Sequence, residues 1–411
     1  MQSSERTPDS DASPDAQGSP RGSAWEVFLV FLKLGFTSFG GPVAHLGYFR
    51  TEFVERRGWL DDKAYSDLVA LCQFLPGPAS SQVGMALGLG RAGWWGALAA
   101  WVGFTMPSAI ALILFAFGVA GWAGVAASGA VHGLKVVAVA IVAQAVWGMA
   151  KSLCPDRLRA GIALLAALLV LAVPGAMGQL AAIVLGGLAA RFLLRLGHLP
   201  PAAHRSYPVS RRTGAVLLAI FAALLLLVPL LATLSASPSI QAAAVFYKAG
   251  ALVFGGGHVV LPLLQAGVVP GGWVSNDAFL AGYGAAQAVP GPLFTFAAYL
   301  GALMPSPLGG WIGGLSMLAA IFVPAFLLVA GALPFWESMR QRDDVQRAMG
   351  GINAAVVGVL GAALYDPVWT SAIHSLADVA LALAAFGLLV FARWSPVVVV
   401  GLAALAGWIL A

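Results

Sequence analysis

The strongest constraint on this chain is that its landmarks occur twice, in the same order. Phe31-Leu-Lys-Leu-Gly35 leads into Phe39-Gly-Gly-Pro42, and Phe246-Tyr-Lys-Ala-Gly250 leads into Phe254-Gly-Gly-Gly257. Trp59 then answers Trp273, and Gln73-Phe-Leu-Pro-Gly-Pro78 answers Gln287-Ala-Val-Pro-Gly-Pro292. Gly-rich apolar helices follow both copies. Apolar units broken by Gly and Pro, present twice in one chain, are the pattern of a membrane carrier built from repeats, with its binding site where the broken helices meet.

Composition sets the solvent. Hydrophobic residues make up 60% of the 411 residues, charged ones only 9%, and the mean hydropathy is +0.88. An ordinary soluble domain carries about 25% charged residues, so the chain is an all-α polytopic membrane protein. The net charge of +5 and the pI near 9.4 do not mark a nucleic-acid surface, because Lys and Arg sit in short segments between apolar runs. They read as topology signals. Cys72 and Cys154 are too few for a disulfide framework or a thiolate metal site.

Residues 1–24 are rich in Ser, Asp, Pro and Gly and read as a disordered cytoplasmic tail. Residues 25–150 form an N-terminal repeat, 151–242 connecting helices with a basic cytoplasmic loop, 243–370 a C-terminal repeat, and 371–411 further membrane helices. Spanning or near-spanning segments are expected at 94–118, 130–150, 160–174, 177–194, 213–233, 310–333, 349–369, 375–392 and 396–411. Each repeat opens with two interrupted segments, 25–57 with 64–90 and 245–270 with 277–302. These four are candidates for broken or re-entrant helices.

Charge orients the copies. The linker 50–63 carries Arg50, Arg56, Arg57 and Lys63, whereas its counterpart 265–277 has no Lys or Arg. Residues 119–131 are uncharged, while their counterpart carries Arg340, Arg342 and Arg347. Under the positive-inside rule, matched loops lie on opposite sides, so the repeats have inverted topology. The one extra crossing at 213–233 produces the inversion and leaves the N-terminus inside.

A helix that ends in mid-membrane leaves backbone groups unpaired, which survives only beside a cavity or a ligand. Candidate binding residues are therefore Gly40, Gly41 and Pro42, Pro76, Gly77 and Pro78, Gly255, Gly256 and Gly257, and Pro290, Gly291 and Pro292. Helix N-termini meeting there would cradle an anion. The alternative is that these are packing kinks. Lys33 and Lys248 each precede a Gly by two residues inside apolar sequence, where a cation costs roughly 2.5 to 3.5 kcal/mol. They either neutralise an anion or snorkel to the interfaces. Gln73 and Gln287, before each PGP, can donate to oxyanion oxygens or bond between helices. Gln82, the aligned pair Lys135 and Asn353, and His45 and His258 are further candidates. There is no metal-site spacing, Walker loop, HExxH or GxSxG motif, so no cofactor is expected and the driving force is a gradient.

FLKLGFTSFGGPVAHLGYF, the RRGW at 56–59, QFLPGPASSQ from 73 to 82, and the pair FGGGHVVLP and QAVPGP together resemble the long, two-domain members of the chromate ion transporter family. The resemblance covers nearly the whole chain after the tail. It implies a bacterial inner-membrane, multi-pass protein that exports chromate and confers resistance, with sulfate as a related oxyanion. Gly257 stands where the first copy has Pro42, so the halves are not expected to contribute equally. The rival readings are a carrier of sulfate or another inorganic anion, and a non-transport membrane scaffold. The implied partners are chromate, sulfate and the lipid bilayer, with no nucleic acid; a homodimer is left open.

Inverted repeats place residues 57 and 271 on opposite faces. Single cysteines introduced at Arg57 and Gly271 are expected to react with a membrane-impermeant thiol reagent from opposite sides, the first from inside. Labelling of both from one side would overturn the inversion.

Overall fold

The computed structural model describes residues 22–121, 125–173, 176–194, 208–254, 257–340 and 342–410. The tail up to residue 21, most of the basic loop around Arg195 and Arg205, and Gly255 and Gly256 lie outside the described residues. Among the described residues the chain is helical with no strand.

The first helix, α1 (Ala24–Thr37), begins at Ser23, whose hydroxyl accepts the Glu26 N–H. It ends where Ser38 turns extended. Gly40 and Gly41, at φ 94° and 77°, carry the chain through the left-handed region, and Pro42 opens α2 (Gly41–Arg50). The FGGP motif is therefore a break between two short helices. The PGP motif is the second break: α3 (Asp62–Phe74), capped by Asp61, stops before Leu75, and α4 (Ala79–Gly121) resumes after Pro78. Gly77 sits between them at φ 124°.

Long as it is, α4 folds back on itself at Ala92 and Gly93, where Gly93 takes φ 65°. The two limbs touch through glycines, because a Cβ on Gly88 would lie 2.2 Å from the Gly96 carbonyl oxygen, and one on Gly96 equally close to that of Gly88. This is the division expected between the 64–90 and 94–118 segments. α5 (Val125–Leu153) completes the first unit. It is followed by a helical pair, α6 (Arg157–Ala172) and α7 (Ala176–Leu193), and by α8 (Arg211–Leu234).

The second copy repeats the plan. α9 (Pro238–Leu252) breaks at Val253, a short turn at Gly257–Val259 leads into α10 (Val260–Val268), and α11 (Asn276–Ala286) breaks at PGP. A turn at Leu293–Thr295 leads into α12 (Phe296–Leu303), which pairs with α13 (Gly310–Ala332). Gly301 and Gly313 form the same glycine contact as Gly88 and Gly96, with a Gly301 Cβ falling 2.4 Å from the Gly313 oxygen. After the short α14 (Trp336–Arg340) come α15 (Asp343–Ala363), the single turn α16 (Thr370–Ala372), α17 (Leu376–Val390) and α18 (Pro396–Leu410).

Five helices among the described residues are long and apolar enough to cross a membrane, within Ala79–Gly118, Gly129–Leu153, Arg211–Leu234, Gly310–Phe335 and Asp343–Ala372. The most apolar stretch of α8 has none of its residues buried, which suits a lipid-facing strut between the copies. The chain is a polytopic all-α membrane protein. The two helical pairs exchange places: α6 and α7 follow α5 in sequence but pack on α15, whereas α17 and α18 follow α15 but pack on α5.

Small residues permit both exchanges, as lipid gives helices no hydrophobic reason to associate. A Cβ on Gly351 would meet the Gly186 oxygen at 2.1 Å and the Ala190 Cβ at 2.3 Å. On the other side a Cβ on Gly407 would fall 2.4 Å from the Gly129 oxygen, and one on Gly133 2.1 Å from that of Ala403. The linker folds as the salt-bridged segment its charges suggest. Arg50 pairs with Glu55 at 2.5 Å and Asp62 at 2.6 Å, and Arg57 with Glu52 at 2.7 Å.

Gly351→Leu is expected to push α7 off α15 and cost roughly 1 to 3 kcal/mol or more, read as lower abundance and a lower melting temperature in detergent. Gly361, where a Cβ meets nothing within 4 Å, supplies the control. Gly361→Ala should be neutral or slightly stabilising.

Candidate functional site

The breaks are tied together across the two copies. The Gly77 N–H donates to the Val253 carbonyl at 2.7 Å, and the Gly291 N–H donates to the Ser38 carbonyl at 2.8 Å. Each PGP glycine thus caps the broken first helix of the other repeat. Side chains finish the joint: Ser108 Oγ donates to the Pro290 carbonyl, and Gln82 Nε2 to the Pro76 carbonyl at 2.8 Å. Glycine is required at both positions. Gly77 and Gly291 hold φ 124° and 91°, and a Cβ would lie 2.8 Å from Gln82 Nε2 at the first and 2.6 Å from Ser108 Oγ at the second.

A contact path joins the two breaks. Gly291 lies against Phe104 and Ser108 on the second limb of α4. The His45 ring stands edge-on to Phe104 with centroids 5.3 Å apart, and its Nδ1 is 3.4 Å from Ser80 Oγ, just beyond the first PGP. Around this path several buried polar atoms have no hydrogen-bond partner among the described residues: Ser38 Oγ, His45 Nε2, Ser81 Oγ, Gln82 Oε1, Thr105 Oγ1 and Gln287 Nε2. A buried polar atom without a partner costs about 1 to 3 kcal/mol, so a cluster of them in an apolar protein marks a place that receives a polar ligand or water. The first-turn N–H groups of α4, after Pro78, lie outside the helix ladder and add donors. The crossing is rich in neutral donors.

The sequence candidates are distributed unevenly about it. Pro76, Gly77, Pro78, Gln82, Pro290, Gly291, Pro292 and His45 are at or beside the joint, and Gly40, Gly41 and Pro42 form the turn that follows Ser38. Gln287 is half-buried with its Nε2 enclosed, whereas Gln73 is exposed. Gly257 opens the turn before α10. His258 Nδ1 is 2.8 Å from the Tyr283 hydroxyl. Lys248 is half-buried on α9 and makes no ion pair among the described residues. Lys33 is exposed on α1, facing the linker. There, burial pushes the Glu52 carboxyl up, but the hydrogen bond and charge of Arg57 and the charge of Lys33 outweigh it and hold its pKa below the ordinary value. Lys135 pairs with Asp277 on α11, and Asn353 lies on α15 with its Oδ1 buried and without a partner among the described residues. Ser38, Ser81, Thr105 and Ser108 were not singled out from the sequence. Their signal was a hydroxyl beside a helix-breaking Pro or Gly in an apolar run.

The sequence model of the family "Chromate transporter" matches residues 25–191 and again 240–408, once for each repeat, and the chain belongs to this family. It is 30% identical to the chromate transport protein of Pseudomonas aeruginosa over 97% of this chain and 95% of that protein. It is 27% identical to the chromate transport protein of Cupriavidus metallidurans over 98% of this chain and 97% of that one. An uncharacterized transporter of Methanocaldococcus jannaschii is 24% identical over 82% of this chain and 83% of its own length. No solved structure matches the chain.

Because the glycine N–H groups are engaged across the repeats, a side chain here should disturb the joint and not the insertion of the helices. Gly77→Ala and Gly291→Ala are each expected to lower transport about tenfold or more, at roughly 1 to 2 kcal/mol for forcing a Cβ into the left-handed region. Abundance should stay near normal, measured by quantitative immunoblot beside the flux. Parallel loss of protein and flux would return these motifs to plain packing kinks.

Proposed function

We propose that this chain is a secondary carrier that exports chromate across the bacterial inner membrane, binding the tetrahedral dianion at the crossing of the broken helices. The carrying observation is the reciprocal joint, Gly77 to Val253 and Gly291 to Ser38, surrounded by buried side-chain polar atoms, most of them donors, that have no partner among the described residues. Membership of the chromate transporter family and the names of its relatives support the substrate. Neutral donors suit a substrate that must be released again, since they recognise an oxyanion without the deep well of a fixed charge.

In this reading Ser38 and Gln287, and His45 through Nε2, contact substrate oxygens, while Gln82 braces the first PGP joint through the Pro76 carbonyl. The two PGP joints and the FGG turns hold them in place, and Lys248 on α9 supplies longer-range attraction. Lys33, beside Glu52, draws anions to the inner mouth. The copies are inverted and the N-terminus is cytoplasmic, which puts Lys151, Arg157 and Arg159 inside with the linker. Export is energetically downhill: two negative charges leaving a cell that is negative inside gain roughly 4.6 kcal/mol per 100 mV, at about 2.3 kcal/mol per charge. That supports a gradient of about three decades without a coupling ion. No catalytic step is needed.

Proteoliposomes loaded with chromate test this directly. An inside-negative potential is expected to accelerate chromate exit, and Lys248→Met to weaken apparent affinity about tenfold, the scale of one charge-assisted contact. Lys33→Met should act less. Flux that ignores the potential would refute the charge-moving export, and a strong preference for sulfate over chromate would favour the general sulfate carrier.

A further inference from the structure

A second group of titratable side chains lies away from the crossing, in a cleft of 520 Å³ between α5, α11, α17 and α18. Lys135 of α5 reaches Asp277 of α11 at 2.9 Å. His132, one turn earlier, meets Asp378 of α17 at 2.6 Å through Nε2, and the His374 ring stacks beside it with centroids 6.3 Å apart. Asp378 Oδ2 also accepts the backbone N–H groups of His374 and Ser375. Gly407 of α18 forms the far wall.

The helical plan does not require Lys135 and His132. In the repeat alignment the counterpart of Lys135 is Asn353, and that of His132 is Gly350, on an α15 that packs equally well. They do not form a metal site either, since no group of three or more metal-ligating side chains comes together among the described residues. The exposures of the ion pair are unequal. The Lys135 side chain is 10% exposed and Asp277 is 67% exposed. A nearly buried ammonium needs an anion at all times, but this carboxylate sits on the solvent side, on a short arm that can leave. Along α5, His132 is about 28 Å from Lys151, at 1.5 Å per residue. With Lys151 inside, as proposed above, the cleft opens outward, and α11 runs from it directly to the second PGP break.

We propose that this cleft is a second oxyanion subsite at the outer mouth, where Asp277 stands in for the departing anion on Lys135 and His132 and His374 set the acidity at which the anion is accepted. The remaining groups on the packed elements are accounted for: Asp378 binds His132, Tyr283 of α11 bonds His258, α18 carries no charged side chain, and Asp366 of the adjoining segment bonds Thr370. With both imidazoles neutral the cleft holds Lys135 against Asp277 and Asp378, a net charge of −1. With both protonated it holds +1. Protonation of the imidazoles therefore turns a mouth that repels exported dianions into one that retains them.

The identity of the transported anion rests on the carrier reading, but the subsite can be tested with sulfate alone. Titration calorimetry of the purified full chain in detergent should show a sulfate-binding component that tightens about tenfold from pH 7.5 to 5.5. Asp277→Asn should strengthen it at pH 7.5, and Lys135→Met should abolish it. The double variant His132→Gln with His374→Gln should remove the pH dependence. A merely structural ion pair predicts that Asp277→Asn and Lys135→Met shift binding the same way, and that result, or a pH slope surviving in the double variant, overturns the subsite. If Lys135→Met does not insert, the sign of the Asp277→Asn effect decides. Chromate counterflow at pH 7.5 separates the two proposals: Gln82→Ala should lower it and leave the pH-dependent sulfate component intact. Absence of counterflow in every form would defeat the carrier reading alone.

Discussion

Hydrocarbon offers no partner to a backbone N–H or C=O, so a helix that stops inside the membrane must find its partners within the protein. Here the exposed carbonyls at the ends of α1 and α9 find them in each other's repeat, through the N–H groups of Gly291 and Gly77. The exchange makes the two copies interdependent, because neither can satisfy its own breaks. It also places four helix interruptions in one region, where side-chain atoms of Ser38, Gln82, Thr105 and Gln287 are left without a partner among the described residues. The demand for backbone partners builds the joint, and the joint creates the polar site.

Around this joint the exchanged helical pairs act as a frame. α6 and α7 brace α15, α17 and α18 brace α5, and in each case glycines bring the backbones within van der Waals contact. Helices packed at that distance slide or tilt as bodies and do not bend, since the contact is backbone on backbone with no side chain to yield. Relative motion therefore concentrates at the breaks, where the chain already departs from helical geometry at Gly40, Gly41, Gly77 and Gly291. A carrier that binds its substrate at these breaks, as proposed, needs compliance there and stiffness elsewhere, and the distribution of glycine suits both by two different uses of the same residue.

Much of this was legible in the sequence because Gly and Pro act locally. FGGP, PGP and the Ala92–Gly93 fold-back announce their breaks in any context, and the apolar runs give helices close to the expected bounds. What is missing from a sequence is partnership across distance. Nothing in PGP reveals that Gly77 will meet Val253, and a period-3.6 pattern in an all-apolar helix cannot say which face is inward, since lipid and protein core select the same residues. For that reason Lys33 and Lys248, alike in their local sequence, end on differently exposed surfaces, one facing the linker and the other half-buried. The exchange of the helical pairs was hidden for the same reason: adjacency in sequence suggests adjacency in space, and only the fit of Gly351 against Gly186 or Gly133 against Ala403 decides otherwise.

The two halves share a backbone plan but not a polar one, and the difference runs in one direction. Ser108 bonds the second PGP, whereas the corresponding place beside Gly77 is filled by the methyl of Ala325. Pro42 stiffens the first FGG turn, whereas the second motif has Gly257 at that place. Lys135 of α5 is answered by Asn353 of α15. An inverted pair with identical chemistry would treat the two sides of the membrane alike and could be driven equally well either way. In an inverted-repeat carrier, polar groups placed unequally on a symmetric scaffold would give the inward-open and outward-open forms different affinities for the same anion. In the export proposed above, the membrane potential supplies the energy for net movement, and these few departures from symmetry would set how readily the anion is taken up at one face and released at the other.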